Sequence, residues 1–407
     1  MIRKWVAVLW LAVVAMPALA ADPIERVEPA SWWVGMKDDR LQLLVYGTRI
    51  ADLEPAVQYT GVVLDSVERV ANPNYLFVNL QISPATRPGS FHISFRKGGK
   101  TVASHRYTLN AREPDSAVRQ GFGPQDVIYL ITPDRFANGN PGNDYVKGMP
   151  DPLNRAAPLG RHGGDLAGIA RHLDYIAGMG FTQLWLNPVV ENNQPEASYH
   201  GYAITDFYKI DARYGDNESY RRLVADARQR GIGVIKDVIL NHCGASHWWM
   251  RDLPAKDWIS NRATFTPTNH RRTSIQDPHA APADRQAFTD GWFVDTMPDL
   301  NQRNPQLARY LIQNTLWWIE YAGLSGIRED TFGYADAGFL GDWAKAVLTE
   351  YPDFAMVGEE WSINPAVVAH WQRGKHNASG HVPHMPAMMD FPVHVALRNA
   401  LVQPEGW

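Results

Sequence analysis

The sequence predicts a two-part α/β protein, in which a β-sandwich precedes a parallel α/β barrel. Residues 21–112 carry apolar side chains at every second position, as in Leu41–Tyr46 and Tyr75–Ile82, which is typical of half-buried antiparallel strands. From residue 126 onward, short continuous apolar runs alternate with amphipathic helical segments, the pattern of parallel strands covered by helices on both faces. The polar stretch 113–125, with its glycines and prolines, is predicted to be the linker. The predicted fold class is an immunoglobulin-like β-sandwich followed by a (β/α)8 TIM barrel over residues 126–407.

The first twenty residues resemble an export signal. Arg3 and Lys4 precede an apolar run from Trp5 to Met16, and small residues follow at Ala18–Ala20. This order predicts a signal peptide at residues 1–20 that is cleaved after Ala20. The apolar run is shorter than the ~20 residues that a membrane-spanning helix needs. The mature protein is therefore expected to be exported, to the periplasm or the medium, and to have no membrane attachment once the signal is removed.

The composition excludes several classes of partner and cofactor. The chain has 407 residues with 39 Lys and Arg against 43 Asp and Glu, for a net charge of −4. Because there is no basic excess, binding to nucleic acid is not expected. The single cysteine, Cys243, allows neither an intrachain disulfide nor a thiolate zinc site. No glycine-rich phosphate loop follows the first predicted strand of the barrel, so no organic cofactor is expected.

Each element of the barrel has its own sequence signal. Apolar runs predict the strands, and apolar residues at helical spacing predict the helices. The helix after residue 219 ends at Gly231, and the long helix is capped by Asn304 and Pro305. The predicted strands are 127–132, 182–186, 233–240, 324–330 and 354–358, with a sixth beginning at 388, and the predicted helices are 165–179, 219–230, 305–321 and 337–348.

Polar residues at the strand ends favour a closed barrel over an open sheet. Asn187, Asn241, Asp330 and Glu359 each lie at the carboxyl end of a different predicted strand. A barrel gathers all such ends at one mouth, whereas an open sheet offers only the crevice at its switch point. The candidate site is therefore placed at the mouth of the barrel.

Two carboxylates and an arginine at this mouth predict acid–base chemistry. Alternation along a strand places Arg328 and Asp330 on the lumen face, where the guanidinium is expected to lower the pKa of Asp330 and keep it ionised. Glu359 reaches the same mouth from the next strand. A charged carboxylate beside a protonated one is the arrangement used in glycoside hydrolysis. The alternative is a structural ion pair between Arg328 and one of the acids.

Further polar and aromatic residues share this rim. Asp237 and Asn241 lie on the lumen face of the third strand, and the segment from Ser198 to Tyr202 precedes Asp206. Its aromatic rings offer flat faces on which a sugar ring can stack. A single His or Tyr is more often a core residue, so the prediction depends on several clusters meeting at one rim.

Read in chain order, these segments resemble the α-amylase superfamily, glycoside hydrolase family 13. The residues after the third strand also include MPDLN at 297–301, similar to an accessory motif of the neopullulanase, cyclomaltodextrinase and maltogenic amylase branch, with Asp299 where a lysine is common. That branch also carries an amino-terminal β-sandwich. The segments similar to the family's second-strand motif and to its first three signature regions are 180–188, 237–242, 326–330 and 357–361.

The resemblance implies a role for each residue and a substrate class. Asp330 would be the nucleophile of a retaining mechanism with a covalent glycosyl-enzyme, Glu359 the acid/base, and Arg328 the residue that orients and ionises Asp330. The substrates would be α-glucans, with cyclodextrins, pullulan and linear oligosaccharides left open, as is transglycosylation against hydrolysis. Relatives in that branch often dimerise, so a homodimer is a further expectation. The substrate-binding residues would be His200, Tyr202, His242 and Asp237.

The loop after the first barrel strand is a candidate calcium site. Its amide and carboxylate oxygens are the hard ligands that Ca²⁺ prefers, although Asn-Gly and Pro-Gly pairs also simply form turns. The loop resembles the calcium loop of the same branch, which implies a structural Ca²⁺. The residues that the resemblance assigns to it are Asn138, Asn140, Asn143, Asp144, Gly163 and Asp165.

Two departures from the family pattern carry expectations of their own. Glu329 would face the helix layer, where a buried carboxylate without a partner costs several kcal/mol, so it is expected to meet a cation or lie near the rim. The family's fourth region, with its His-Asp pair, does not occur before Trp407, so the chain is expected to be a fragment that lacks the last barrel strands. This second departure favours the alternative of a non-catalytic α-glucan-binding barrel. A metal-dependent amidohydrolase is disfavoured because Ile131–Asp134 contains no His-x-His.

Overall fold

The amino-terminal domain consists of two four-stranded sheets that pack face to face. The computed structural model describes residues 23–403, so the predicted signal peptide lies outside the described residues. One sheet has the order β1-β3-β6-β5 and the other β2-β8-β7-β4, and their inner faces form an apolar core around the fully buried Leu43, Val78 and Ile93. The β-sandwich prediction is confirmed. Its strands are β1 (Arg26–Glu28), β2 (Ser31–Trp33), β3 (Arg40–Tyr46), β4 (Glu54–Val57), β5 (Val62–Arg69), β6 (Tyr75–Ile82), β7 (Gly89–Lys97) and β8 (Lys100–Asn110).

The second domain is built on parallel strands that follow one another in chain order. The sheet has the order β9-β10-β13-β14-β15-β16, and every pair in it is parallel. This consecutive parallel order is that of a (β/α)8 barrel, of which the described residues contain six strands. The strands of this domain are β9 (Ile128–Ile131), β10 (Gln183–Leu186), β11 (Val190–Glu191), β12 (Asp206–Ile210), β13 (Gly233–Ile239), β14 (Gly326–Asp330), β15 (Ala355–Gly358) and β16 (Ala387–Met388).

Helices cover the outer face of this sheet, and β11 pairs with β12 as a separate hairpin on the mouth side. Within residues 23–403, no helix is both long enough and apolar enough to cross a membrane. The helices are α1 (Pro133–Phe136), α2 (Leu166–Arg171), α3 (Leu173–Gly178), α4 (Asn217–Arg228), α5 (Thr273–Gln276), α6 (Pro282–Thr289), α7 (Pro305–Ala322), α8 (Ala337–Glu350), α9 (Pro365–Ala369) and α10 (Phe391–Val402).

The structure differs from the sequence prediction in two elements. The predicted helix 165–179 is divided into α2 and α3 at His172, whose backbone leaves the helical region and whose Nδ1 lies 2.7 Å from the carbonyl oxygen of Gly168. This local hydrogen bond competes with the helical pattern, and apolar spacing does not detect it. The sixth strand is only Ala387–Met388, because the Asp390 carboxylate accepts the Val393 N–H and caps a helix from Phe391.

The sandwich also supports the long segment that follows β13. The Asp252 carboxylate in that segment accepts hydrogen bonds from Tyr46 at 3.2 Å and from Asn74 at 2.8 Å, both in the sandwich. Arg26, which is paired with Tyr46 across β1 and β3, forms an ion pair with Asp206 at 2.8 Å. The two domains are therefore joined by directed polar contacts.

Candidate active site at the strand ends

One arginine gathers three carboxylates at the carboxyl ends of β13, β14 and β15. Arg328 Nη1 donates to Asp237 Oδ1 at 2.8 Å and to Asp330 Oδ1 at 2.7 Å, and Nη2 contacts Glu359 Oε1. Asp237 and Arg328 are paired across the two strands, and Arg328 and Asp330 are two residues apart on one strand, so all three point into the lumen. The two acids predicted to be catalytic are thus held at the two ends of one guanidinium.

Asp237 lies beneath this cluster, away from the mouth. Its side chain has no exposed surface, and its second oxygen accepts hydrogen bonds from the Trp185 indole at 3.0 Å and the Tyr202 hydroxyl at 3.1 Å. Burial raises the pKa of Asp237, while Arg328 opposes the shift. The predicted contact with sugar is therefore wrong for this arrangement, because Asp237 is covered by the residues that it positions.

The net effect of the cluster on Asp330 is the reverse of the predicted one. Burial raises the pKa of Asp330 to about 7, and Arg328 offsets this only in part because Asp237 and Glu359 add to the rise. Burial alone would lower the pKa of Arg328, but the three carboxylates raise it above its usual range. Three acids around one cation leave excess negative charge in a buried site, which favours keeping one proton there.

Glu359 approaches the cluster from the rim of the mouth. Its Oε1 contacts Arg328, and its Oε2 accepts the backbone N–H of Thr331 at 3.1 Å. Thr331 has a left-handed backbone, with φ of 49°, which turns the chain sharply after β14 and aims this N–H at the carboxylate. Glu359 therefore has one oxygen on the cation and one on a neutral donor, next to Asp330.

His200 and Tyr202 form one wall of the mouth. Their rings stack with centroids 5.7 Å apart, and His200 Nδ1 accepts the Tyr202 N–H at 2.9 Å. Because Nδ1 is an acceptor, the neutral ring carries its proton on Nε2. Burial lowers the pKa of His200 and so favours this neutral form. His200 can therefore donate a hydrogen bond from Nε2.

His242 follows the end of β13 and lies next to His200 and Tyr202. Burial lowers its pKa to about 4, and its Nε2 is buried without a hydrogen-bond partner in the described part of the chain. Its ring lies 5.8 Å from that of Phe293. A neutral histidine with an unpartnered ring nitrogen is suited to bind a hydroxyl group.

An aromatic cluster beside Glu359 is the part of the mouth that sequence reasoning missed. The rings of Phe293 and Tyr334 are 4.5 Å apart, and each lies 6.0 Å from the ring of Trp361, which is 37% exposed. The Arg272 guanidinium lies 5.1 Å from the Trp361 ring and is paired with Glu360 at 3.4 Å. Trp361 could have been found from its place two residues after Glu359, but Phe293 and Arg272 come from the long segment after β13, which has no periodic signal.

Glu329 occupies the outer face of β14, and the expectation that it finds a cation or the rim is wrong. It is 0% exposed, and neither carboxyl oxygen has a hydrogen-bond partner among residues 23–403. Burial raises the pKa of Glu329 well above its usual value. Burial therefore favours the protonated, neutral form, which is the cheaper way to bury a lone carboxyl group.

The predicted calcium loop presents oxygen atoms of the right kind. Asn138 Oδ1 and Asn143 Oδ1 are buried without a hydrogen-bond partner in the described residues, and Asp144 Oδ1 lies 2.8 Å from Asn138 Nδ2. Gly163 has φ of +86°, and a Cβ there would lie 2.5 Å from Asp144 Oδ1. The loop therefore fits a hard cation, since it brings together two unpartnered amide oxygens and the Asp144 carboxylate, next to a position that only glycine leaves open.

The remaining two residues of this set have other contacts. The Asp165 carboxylate accepts backbone N–H groups from Gly139 at 3.0 Å, Asn140 at 2.8 Å and Gly168 at 2.6 Å, so it caps α2 and ties the loop to it. Asn140 Oδ1 accepts the Gly142 N–H at 3.1 Å. No group of three His, Cys, Asp or Glu side chains arranged for a metal occurs between residues 23 and 403, so a metal here would depend on amide and carbonyl oxygens.

Comparison with known proteins gives two family matches that follow the domain order. The alpha amylase catalytic domain matches residues 130–395, and the cyclomaltodextrinase N-terminal domain matches residues 26–113. The chain is 33% identical over 242 residues to a cyclomaltodextrinase of Geobacillus thermopakistaniensis and 32% identical over 250 residues to neopullulanase 2 of Thermoactinomyces vulgaris. Each of these matches covers 58% of this chain and 38% of the relative.

A solved structure shares the barrel. The alpha-amylase of Geobacillus thermoleovorans in complex with acarbose is 33% identical, with a TM-score of 0.53 over 67% of this chain and 53% of that one. The chain thus spans about half the length of this structure and less than half of the curated relatives above. The predicted fold class is confirmed by these matches together with the parallel sheet.

Proposed function

This chain belongs to the alpha-amylase family, and from that membership we propose that it forms the catalytic part of a retaining glycoside hydrolase acting on α-glucans. The observation that carries the proposal is the contact of Asp330 and Glu359 with the two ends of the Arg328 guanidinium at the barrel mouth. Two neighbouring carboxyl groups, one to attack and one to donate and accept a proton, are the minimum for double displacement at an anomeric carbon. The named substrates of the relatives, cyclomaltodextrin and pullulan, indicate the substrate class.

The proposed reaction assigns one task to each acid. Arg328 binds Asp330 Oδ1, which leaves Oδ2 to attack the anomeric carbon once the carboxyl group is ionised. Glu359 donates its proton to the departing glycosidic oxygen, and the bond between that oxygen and the anomeric carbon breaks. Glu359 then takes a proton from water, which attacks the same carbon and releases Asp330. Because the anomeric centre is inverted twice, the product keeps the α configuration.

Sugar recognition is assigned to the walls of the mouth. His200 donates from Nε2, His242 offers its unpartnered ring nitrogen, and the Tyr202 ring stacks beneath the reacting sugar. Phe293 and Trp361 lie on the Glu359 side, where the leaving part of the glucan would stack on their faces. Asp237 acts through Arg328 and Tyr202 as a positioning residue.

We also propose a structural Ca²⁺ in the loop after β9. Asn138, Asn143 and Asp144 would hold it through side-chain oxygens, with the Gly163 backbone beside them and Asn140 and Asp165 fixing the loop around it. When bound, the cation supplies positive charge that orders these oxygens and takes no part in the bond-breaking step. If the loop binds calcium, chelation will lower the melting temperature of the protein and added Ca²⁺ will restore it; an unchanged melting temperature would remove this assignment.

Export and dimer formation complete the proposal. Residues 1–20 are proposed to direct export, which mass spectrometry of the mature amino terminus tests by whether the chain begins at Ala21. A homodimer is proposed from the resemblance to dimeric relatives, and sedimentation of the purified chain tests it directly.

The experiment for the proposed function is the stereochemistry of hydrolysis. Proton NMR during the cleavage of maltotriose is expected to record the α-anomer first, followed by mutarotation to the β-anomer. Glu359→Gln should slow this cleavage by about 10³-fold, yet slow it far less for a substrate whose leaving group needs no proton. Initial release of the β-anomer would overturn the retaining mechanism. Binding of maltotriose without any turnover by the complete protein would instead support the non-catalytic glucan-binding barrel.

A further inference from the structure

Two series of contacts connect the proposed calcium loop (residues 138–144 with Gly163 and Asp165) to the turn that carries His200. The first passes through Arg161, which is 2% exposed and whose Nη1 donates to the carbonyl oxygens of Asp144 at 3.0 Å and Asp151 at 3.4 Å. The Asp151 carboxylate then accepts both the N–H and the hydroxyl of Ser198, at 2.8 and 2.7 Å. Ser198 begins the 3-10 turn Ser198–His200.

The second connection reaches the same turn from the other side of the loop. The Asp134 carboxylate accepts the Gly163 N–H at 3.0 Å and forms an ion pair with Arg135. The Arg135 guanidinium lies 3.9 Å from the centre of the Tyr199 ring, the residue between Ser198 and His200. Both sides of the calcium loop are thus tied to the turn.

Two further hydrogen bonds reach the turn through its backbone, from Asn192 Nδ2 to the Ser198 carbonyl oxygen at 3.2 Å and from the Tyr214 hydroxyl to the Tyr199 carbonyl oxygen at 2.8 Å, whereas the Ser198 N–H and hydroxyl are both held by Asp151. Ala197, just before the turn, has a left-handed backbone with φ of 53°, a conformation that a residue other than glycine keeps only where outside contacts hold it. From His200 the contacts continue to the site, because His200 Nδ1 accepts the Tyr202 N–H and the Tyr202 hydroxyl donates to Asp237. A loosened Ser198 would therefore displace the donor that His200 presents to a sugar.

We propose that Asp151 is a positioning residue that couples the calcium loop to sugar binding, so that an ordered loop fixes His200 and tightens the binding of α-glucans. The inference deepens the proposed function and rests on it for the identity of the ligand. Coupling of this kind is reciprocal: the sugar tightens calcium binding by the same factor as calcium tightens sugar binding. A shift of about tenfold is the ordinary size for such coupling.

The test measures acarbose binding by calorimetry with and without saturating Ca²⁺. In the unmodified chain Ca²⁺ is expected to lower the Kd for acarbose about tenfold, and acarbose to lower the Kd for Ca²⁺ equally. Asp151→Ala should reduce both factors to near one, and the milder Ser198→Ala should reduce them in part. The matched control is Asp216→Ala, since Asp216 accepts the Ser219 N–H at the start of α4 in the same way but lies outside these contacts; it should keep the full factor.

A second measurement does not need a sugar. Hydrogen exchange of the Ser198 to Tyr202 amides should slow about tenfold on Ca²⁺ addition in the unmodified chain and in Asp216→Ala, and should not respond in Asp151→Ala. The inference is overturned if Asp151→Ala keeps the full coupling in either measurement, or if the chain binds no Ca²⁺. If acarbose does not bind under any condition while the exchange response follows Asp151, the proposed function fails and the coupling of the loop to the turn stands.

Discussion

The two faces of strand β14 carry one carboxyl group each, Asp330 on the lumen face and Glu329 on the helix-layer face. Both are buried, and burial raises the pKa of both. Asp330 has Arg328 at 2.7 Å, whereas Glu329 has no hydrogen-bond partner within residues 23–403. The pKa of Asp330 is therefore held near 7, within reach of ionisation, while Glu329 stays neutral. Burial raises the free energy of an ionised carboxyl group. Only a carboxyl group with a cationic partner can therefore ionise and act as a nucleophile.

The outer face also contains a buried cation that does not neutralise Glu329. Lys236 on β13 shares that face, and its Nζ donates to the Asp237 carbonyl oxygen at 3.2 Å and lies 5.3 Å from the Trp318 ring. Burial lowers the pKa of Lys236 to about 8. The lumen face thus joins opposite charges, and the outer face leaves them apart with their pKa values shifted towards the neutral forms.

The largest expected effect separates the two acids of β14. Asp330→Asn removes the nucleophile and should lower kcat/KM for maltotriose by about 10³-fold or more. Glu329→Gln also replaces a carboxyl group by an amide, but on the other face of β14. It should leave kcat/KM within about twofold of the unmodified value. Reducing-sugar release by both variants checks this, and equal losses would mean that the lumen face has no special role.

A smaller effect concerns the pH dependence of turnover. Because the pKa of Asp330 is raised to about 7, its ionised fraction falls below that pH, and kcat/KM should fall as the pH is lowered through about 7. Arg328→Gln removes the charge that favours ionisation, so the acid limb should move to higher pH and kcat/KM should drop by about 10²-fold. A pH–rate profile of kcat/KM measures both; an acid limb near the ordinary aspartate value of 3.8 would contradict the raised pKa.

Stability should respond to Glu329 with a definite sign. As the pH rises above 4.5, the unfolded chain releases this proton while the folded chain keeps it, because the folded pKa is raised. The unfolded state is then favoured by about 1.4 kcal/mol for each pH unit above 4.5 until the folded pKa is reached, so the folded protein loses stability as the pH rises. Glu329→Gln should therefore melt higher than the unmodified chain by a margin that grows from pH 5 to 8. Melting curves at several pH values test this. A difference in melting temperature that stays constant with pH would mean that the pKa of Glu329 is not raised, and so that a partner stabilises its ionised form.

The smallest effect should come from Lys236, with the opposite dependence. Its folded pKa is lowered from 10.5 to about 8, so between these values the unfolded chain binds a proton that the folded chain does not. Stability of the unmodified chain should rise with pH over this interval. Lys236→Met should remove the rise, and melting curves at pH 8 to 10 compare the two proteins. A rise that persists in Lys236→Met would assign it to another group.

The lumen face of β14 could be predicted from the sequence, but the outer face could not. Alternation along a strand fixes that Arg328 and Asp330 point the same way, and the parallel order of strands brings Glu359 beside them. The same alternation places Glu329 outside but does not say which side chains of the helix layer meet it. Burial without a partner depends on packing between distant segments, which no local pattern encodes.

Other differences have the same physical origin. Asp237 was predicted on the lumen face, but its cover by Trp185 and Tyr202 depends on a neighbouring strand and a loop. Phe293 and Arg272 reach the mouth from the long segment after β13, whose path is set by contacts such as those of Asp252 with the sandwich. The sequence predicts the parallel frame and the groups at its strand ends, and tertiary contacts decide which of these groups remain exposed to a ligand.

Identification of the covalently labelled residue tests the central claim most directly. A fluorinated α-glucosyl fluoride, in which the fluorine slows the second step more than the first, should trap the glycosyl-enzyme. Peptide mass spectrometry is expected to find the sugar on the carboxyl group of Asp330, and Asp330→Asn should take up no label. A label on Glu359 or Glu329, or catalytic turnover of the reagent through no covalent intermediate at all, would contradict the assignment of Asp330 as the nucleophile.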